Sequence, residues 1–231
     1  MNVAIIPARG GSKRITRKNI RPFCGRPMIA WSIETAINSR LFERIIVSTD
    51  DPEITEIASH LGAETPFERP AELANDHAGT LPVIRHAVDW LVHQGSPVTH
   101  ACCIYATAPF LRAEDLKKSR MMMEEPELDF VFSITRFAFP IQRALKLDTE
   151  NSLSMFWPEH ELSRSQDLPA AYHDAGQFYW GTADAWRTQD RIYSSKCRGH
   201  ELPEERVQDI DTESDWRVAE MKFRLLANPE S

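Results

Sequence analysis

The sequence has no CxxC pair. Its four cysteines, Cys24, Cys102, Cys103 and Cys197, stand alone or adjacent, which excludes the common zinc and thioredoxin-like spacings. On a strand, Cys102 and Cys103 would face opposite sides and read as core thiols. No apolar run approaches the roughly 18 residues that a membrane helix needs, so no membrane partner is expected. Met1-Asn2 leads into Val-Ala-Ile-Ile-Pro, with no basic stretch and no export-length apolar stretch, and a cytoplasmic protein is expected. Basic charge is not in excess: 27 Lys and Arg stand against 34 Asp and Glu, a net −7. That argues against a nucleic-acid partner, which needs a basic surface. Neither GxxxxGK[ST] nor GxGxxG occurs, so phosphate would be held by neither a P-loop nor a dinucleotide fingerprint. There is no internal repeat and no low-complexity linker.

What is present is an ordinary globular composition. The 231 residues are 42% hydrophobic and 26% charged, enough for one large α/β domain over 1–231 with a sizeable core. Val3–Ile6 reads as a buried strand, and Pro27 opens a helix carrying Met28, Ile29, Ile33 and Ile37. Ile45–Val47 is a second strand. Ile54, Ile57, Ala58 and Leu61 then repeat at helical spacing, as do Ile84, Ala87, Val88 and Leu91. Ala101–Tyr105 reads as strand, Leu116–Met123 as helix and Asp129–Thr135 as strand. Phe137–Leu168 breaks the rhythm with weak periodicity and several prolines, and is expected to be an inserted arm or hairpin. Strands are predicted again at Gln177–Trp180 and Arg206–Ile210. A last helix follows, capped by Thr212, with Trp216, Ala219, Phe223 and Leu226 on its apolar face. The alternation predicts a single doubly wound, mostly parallel sheet, a Rossmann-like architecture with an insertion.

The strongest local signal follows the first strand. Residues 1–33 hold seven basic side chains, Arg9, Lys13, Arg14, Arg17, Lys18, Arg21 and Arg26, and no acid, which leaves a net −14 on the rest of the chain. So local a concentration points to an anion site. Ligands of open α/β sheets sit beyond the carboxyl ends of strands. Gly10 and Gly11 would let the backbone approach closely and offer N–H groups as a nest. A nucleoside triphosphate fits; the bland alternative is a solvated basic loop.

The second signal is Gln208-Asp-Ile-Asp-Thr212. On a strand, Asp209 and Asp211 share one face, where two carboxylates repel unless a cation lies between them. Mg²⁺ is suited to that place because it takes a carboxylate or two plus substrate phosphates. The alternative is that Asp211 is simply an acid at a helix N-terminus.

With these residues in view, the chain resembles the acylneuraminate-type cytidylyltransferases, which activate nine-carbon acidic sugars. The matching segments are Ile6-Pro-Ala-Arg-Gly-Gly-Ser-Lys-Arg14, Arg17-Lys-Asn19, Val47-Ser-Thr-Asp50, Arg69-Pro-Ala-Glu-Leu-Ala74, Arg164-Ser-Gln-Asp-Leu168 and Gln208–Thr212. Within that family it is most similar to members acting on pseudaminic acid, through Cys102–Leu111, Phe139–Leu145 and Tyr172–Trp180. The resemblance implies a nucleotidyltransferase fold and transfer of a cytidylyl group from CTP to the sugar acid, with Mg²⁺ and release of pyrophosphate. It implies that Arg9, Ser12 and Lys18 hold the triphosphate and Asn19 the nucleotide, with Arg9 or Lys18 neutralising charge at the α-phosphate. It places Arg69 and Thr80 beside the cytosine and Asp209 and Asp211 at the metal. Arg164 and Gln166 fall on the sugar side, and a homodimer follows if the 137–168 arm reaches a partner.

Three positions depart from the sialic acid pattern. Tyr105 stands where a glutamine is usual, Ala175-Gly176 where Asn-Gly is usual, and Thr16 where the loop often has proline. The first two fall on the sugar side and favour a less hydroxylated sugar. His173, next to Asp174, is a candidate for sugar contact or proton transfer, or a turn histidine. The rival readings are the same reaction on sialic, legionaminic or deoxyoctulosonic acid, a non-catalytic nucleotide-binding regulator, and a structural protein.

Overall fold

A computed structural model describes residues 1–227 of the protein. The first apolar run forms β1 (Asn2–Pro7). A miniature antiparallel pair, β2 (Pro22–Phe23) and β3 (Arg26–Pro27), closes the basic loop against α1 (Met28–Ser39). Next come β4 (Arg44–Ser48), α2 (Pro52–His60), α3 (Thr80–His93), β5 (His100–Ile104) and α4 (Ala113–Met122). β6 (Phe130–Arg136) leads into the insertion, where β7 (Leu145–Leu147) and β8 (Leu153–Met155) form an antiparallel hairpin among short 3-10 turns. β9 (Tyr172–Thr182), α5 (Ala183–Thr188), β10 (Cys197–Glu201) and α6 (Glu213–Ala227) complete the described chain.

Six strands form one sheet in the order β10-β6-β9-β5-β1-β4. β4, β1 and β5 run parallel, as do β6 and β10, while β9 runs antiparallel between β5 and β6. The sheet is therefore mostly parallel, as the alternation predicts. Helices cover both faces. On one, Ile29, Ile33, Ile54, Ala58 and Leu116 pack with Val131 and Trp180; on the other, Ile84, Val88, Leu91 and Trp186 pack with Ile5 and Phe130. Cys102 lies in the first cluster and Cys103 in the second, so the strand sends them to opposite faces. Each fully buried large side chain in these layers contributes about 1.5–3 kcal/mol by leaving water.

Local chemistry starts the helices where the sequence predicts. Asp51 caps α2, its Oδ1 accepting N–H from Glu53 and Ile54 at 3.0 Å each, with Pro52 in the first turn. Thr212 and Asp215 cap α6 reciprocally: the Asp215 N–H donates to Thr212 Oγ1 at 3.2 Å and the Thr212 N–H to Asp215 Oδ2 at 2.7 Å.

One predicted strand is corrected. Arg206–Ile210 joins no sheet; the edge strand is β10, a few residues earlier. β10 reads Cys-Arg-Gly-His-Glu, with no apolar run to announce it, and Gly199 fits because Ile134 packs where its Cβ would stand. Pro203 instead turns the chain into a 3-10 turn over Glu204–Arg206, which ends the ladder.

β9 carries the other irregularity. Its register against β6 jumps between Phe132 and Ile134, with Gly176 at φ +62° inside the bulge. That conformation suits glycine. Ser133 Oγ accepts the N–H groups of Gln177 at 3.2 Å and Phe178 at 3.3 Å, replacing the interrupted ladder. Bulges of this kind re-aim side chains beside functional sites.

Candidate active site

The strand ends converge on one cleft, as open α/β sheets require. The loop after β1, the segment leading from α2 into the start of α3 and the residues after β5 enclose a cavity of about 470 Å³. Of the residues expected at the nucleotide, Arg9, Ser12, Lys18, Asn19, Arg69 and Thr80 all line it, and so do Tyr105 and Asp211. A second cavity of about 420 Å³ adjoins it, bordered by Tyr105, Thr107, His173, Asp174, Tyr179 and Asp209. Tyr105 and Thr107 belong to both walls.

The seven cations of the basic loop divide into two groups. Arg9, Lys13, Arg14 and Lys18 face the first cavity. Asp76 takes Arg9 at 2.7 Å and Lys13 at 2.5 Å, while Asp211 takes Arg14 at 2.9 Å and Lys18 at 3.4 Å. The other three tie down helices. Arg17, at φ +56°, turns away to Asp51 and Glu53 at the start of α2. Arg21 pairs with Glu213 at 2.5 Å and lies over the Trp216 ring at 4.6 Å, docking α6. Arg26 pairs with Glu34 of α1. Spacing alone does not separate these groups, because the loop coils and neighbouring residues point apart.

The glycine nest is a correction. The Gly10 N–H donates to Asp50 Oδ1 at 3.0 Å, and neither Gly10 nor Gly11 borders the cavity. Gly10 is needed for packing: a Cβ there would collide with the Asp51 carboxylate. Asn19 instead braces the loop, its Nδ2 donating to the Arg9 carbonyl at 2.9 Å.

Arg69 is 4% exposed, and its guanidinium donates to Ser48 Oγ at 3.1 Å and to the Ser48 carbonyl. Burial lowers its pKa to about 10, with nearby Asp50 opposing, so it remains a cation at neutral pH. Thr80 Oγ1 and Tyr105 Oη share a hydrogen bond of 2.7 Å. Burial pushes the Tyr105 phenol up to about 12 and keeps it protonated.

Asp209 and Asp211 are not on a strand. Asp211 borders the first cavity and Asp209 the second, with buried Ile210 between them. Lys18 Nζ joins the two walls by donating to the Ile210 carbonyl at 2.7 Å. Asp209 keeps a solvent-facing edge; the protein packed behind it, and then the Asp211 charge, push its acid upward. Two carboxylates that sense each other suit a divalent cation. Among the described residues no three His, Cys, Asp or Glu side chains gather as a metal cage. Two carboxylates plus phosphate oxygens is the donor set Mg²⁺ prefers.

The sugar-side residues divide as well. His173 borders the second cavity, but its Nδ1 meets the Asp174 backbone oxygen at 2.9 Å. The Asp174 carboxylate takes Tyr179 Oη, Tyr193 Oη at 2.9 Å and the Gly176 N–H at 2.8 Å. His173 and Asp174 are therefore no acid–base dyad, because successive residues of β9 point apart. Arg164 and Gln166 lie on the arm, outside both cavities: Arg164 Nε pairs with Asp167 at 2.7 Å, and Gln166 lines a separate hollow at the arm's base. Sequence reasoning missed Asp76, Thr107, Tyr179 and Tyr193. Only the polar turn Asn75–Gly79, just before a helix, hints at the first.

Comparisons with known proteins give the family and the fold. The family model described as Cytidylyltransferase matches residues 3–222. The chain is 45% identical to the pseudaminic acid cytidylyltransferase of Campylobacter jejuni subsp. jejuni, over 97% of each chain. It is 35% identical to the Helicobacter pylori protein named pseudaminic acid cytidylyltransferase and UDP-2,4-diacetamido-2,4,6-trideoxy-beta-L-altropyranose hydrolase, over 96% of this chain and 42% of that one. A CMP:2-keto-3-deoxy-manno-octonic acid synthetase structure complexed with CTP superposes with a TM-score of 0.69 at 19% identity, covering 99% of each chain, a likeness of fold.

Proposed function

The chain belongs to the cytidylyltransferase family, and we propose from that premise that it activates pseudaminic acid with CTP, giving the CMP-sugar and pyrophosphate. The observation that carries the reading is the pair of adjoining cavities with a common wall at Tyr105 and Thr107. One is lined by cations suited to a triphosphate and the other by hydroxyls suited to a sugar. In this reading the anomeric hydroxyl attacks the α-phosphorus in line. The new bond is sugar oxygen to phosphorus, the broken bond is phosphorus to bridging oxygen, pyrophosphate leaves and the hydroxyl proton passes to water.

The chain supplies positioning and charge. Arg9, Ser12 and Lys18 hold the triphosphate, displacing Asp76 and Asp211 as partners of the cations. Asn19 keeps the loop in shape, and Arg69 and Thr80 attend the base. Lys18 and Arg9 offset charge gathering at the α-phosphate. Asp209 and Asp211 hold Mg²⁺, which when bound neutralises phosphate oxygens. Tyr105 and His173 attend the sugar, where burying an unmatched hydroxyl costs more than a loose apolar fit. The Tyr105 and Ala175 positions, together with the Campylobacter relative, favour pseudaminic over sialic acid.

The arm supports a homodimer. It exposes Phe139 at 82% and Leu162 at 95%, with Leu145, Leu147, Leu153 and Phe156 also open, apolar surface that a second copy would cover. Arg164 and Gln166 would then serve the partner's sugar pocket. No helix among the described residues is long and apolar enough to cross a membrane, and a cytoplasmic setting suits a CTP-dependent enzyme.

The test is incubation of the purified chain with CTP, Mg²⁺ and separate free acids: pseudaminic, sialic, legionaminic and deoxyoctulosonic. Pyrophosphate release is expected with pseudaminic acid above all others. Equal release with sialic acid would overturn the sugar assignment; no release with any acid would overturn the reaction.

A further inference from the structure

The segment from Leu202 to Asp211 carries both acids of the site yet joins no sheet. Side chains from four other parts of the fold hold its carbonyls. Thr135 Oγ1 donates to Leu202 O at 3.0 Å, Gln177 Nε2 to Arg206 O at 2.6 Å, Lys222 Nζ to Val207 O at 2.9 Å, and Lys18 Nζ to Ile210 O at 2.7 Å. Near its start the buried Arg206 guanidinium meets Asp115 of α4 twice, at 2.5 and 3.2 Å, and His200 Nε2 meets the same carboxylate at 3.2 Å. Burial alone would raise the Asp115 acid, but His200 and Arg206 hold it well below the ordinary range, so the pair stays ionic. Arg206 is thus a fixed post from which the acid segment departs.

Gln177 is the tether on that post. It is 3% exposed, and its own backbone carbonyl accepts the Tyr105 N–H at 2.9 Å. One residue therefore links the acid segment to the strand end that carries Tyr105, which with Thr107 borders both cavities. Its Oε1 is buried with no partner. An amide satisfied on one side only adds little net stability, since the unpaired oxygen offsets the bond the nitrogen makes. A methionine would fill the same space, trading the unpaired Oε1 for an Arg206 carbonyl that loses its donor, so the net change in stability is small. The amide thus serves the placement of the segment rather than the packing of the core.

We propose that Gln177, bonded to the Arg206 carbonyl above the Asp115–Arg206 ion pair, is a positioning residue that sets where Asp209, Ile210 and Asp211 stand against Lys18. The inference rests on the reading that the two acids act at the phosphate end of the reaction.

Gln177→Met tests it. In the ligand-free protein, hydrogen exchange at the amides of 207–211 should quicken by about tenfold or more, while the melting temperature stays within a few degrees. CTP affinity by calorimetry should stay within about twofold and kcat should fall about tenfold or more, because small misplacements in a site are worth up to about 10²-fold. Gln177→Leu gives the same pattern and decides the matter if the methionine variant does not fold. Unchanged exchange and kcat in a folded variant would overturn the proposal. So would a parallel loss of melting temperature, CTP affinity and kcat, the mark of a merely structural residue. Asp209→Asn in the same assay separates the two layers: normal turnover there sinks the reading of the acids, while the exchange data still decide whether Gln177 holds the segment.

Discussion

The two cavities meet at Tyr105 but are built from opposite materials. The first is walled by Arg9, Lys13, Arg14 and Lys18, each paired with Asp76 or Asp211. The second is bordered by Tyr179, whose phenol donates to the Asp174 carboxylate, and by Tyr105, whose phenol pairs with Thr80. In the first, charge is the instrument: the carboxylates already hold the cations in a cluster, and phosphate oxygens replace like with like. In the second, geometry is the instrument. Hydroxyls bonded to fixed partners point in set directions, and a substrate hydroxyl that finds no partner is penalised. On the proposed assignment of the cavities, affinity for the nucleotide would follow electrostatics and choice of sugar hydrogen-bond complementarity.

The sharpest break in that comparison is at the seam. Asp209→Asn keeps the shape of the side chain and removes its charge; turnover should fall by about 10²-fold or more, the scale of losing a main electrostatic stabiliser, with folding nearly unchanged. Steady-state kinetics across Mg²⁺ concentrations checks this, and near-normal turnover at limiting Mg²⁺ removes Asp209 from the metal.

The next effect separates the cavities by substrate. Wild-type kcat/KM for pseudaminic acid should exceed that for sialic acid by about 10²-fold, from one or two unmatched polar groups. Tyr105→Gln should narrow the gap by harming the preferred sugar without creating a good sialic acid enzyme. If the variant instead gains sialic acid turnover, the second cavity selects by size and not by hydrogen bonding.

Lys18→Ala should lower kcat about tenfold and weaken CTP binding less, if its charge acts mainly in the transition state. Its neighbour gives the smallest effect. Arg17→Ala should leave kcat/KM within about twofold, because its guanidinium turns to Asp51 and Glu53. It should cost about 1 kcal/mol of stability, discounted for exposure, or about 2–4 °C in melting temperature. The pH dependence has a definite sign. The Arg17 bond holds the Asp51 acid below its ordinary value, so this stability is full above the unfolded carboxylate pKa near 4 and is lost as pH falls through the folded value. The wild-type advantage over Arg17→Ala in melting temperature should thus be present at neutral pH and shrink in acid. Equal kinetic losses at Lys18 and Arg17 would mean that the basic loop acts as a diffuse cationic surface.

The arm is a further contrast with the sheet. β7 and β8 are three residues each, and most of their side chains are exposed. A lone hairpin of that size has little independent stability in water. Light scattering should return the mass of two chains, and Leu153→Asp with Leu162→Asp should shift it toward one.

Much of this protein was legible before folding. Alternating apolar runs determine the layered sheet, because strands buried on both faces must be apolar and their crossover helices must carry one apolar stripe. The Thr212 cap was equally plain, since a helix start depends on neighbours within four residues. The cluster of cations after β1 pointed to an anion site by its charge alone, and four of the seven border the first cavity. Tertiary structure decided what depends on direction and distance. It turned Arg17, Arg21 and Arg26 outward to helices while leaving Arg9 and Lys18 in the cleft, because a coiled loop gives adjacent side chains unrelated directions. It spent the Gly10 amide on Asp50, separated His173 from the Asp174 carboxylate, and moved the edge strand to 197–201. Above all, it set Asp209 and Asp211 on either side of a junction held by Gln177, Lys222 and Lys18. Those residues come from three elements far apart in sequence, and only packing gives them a common place.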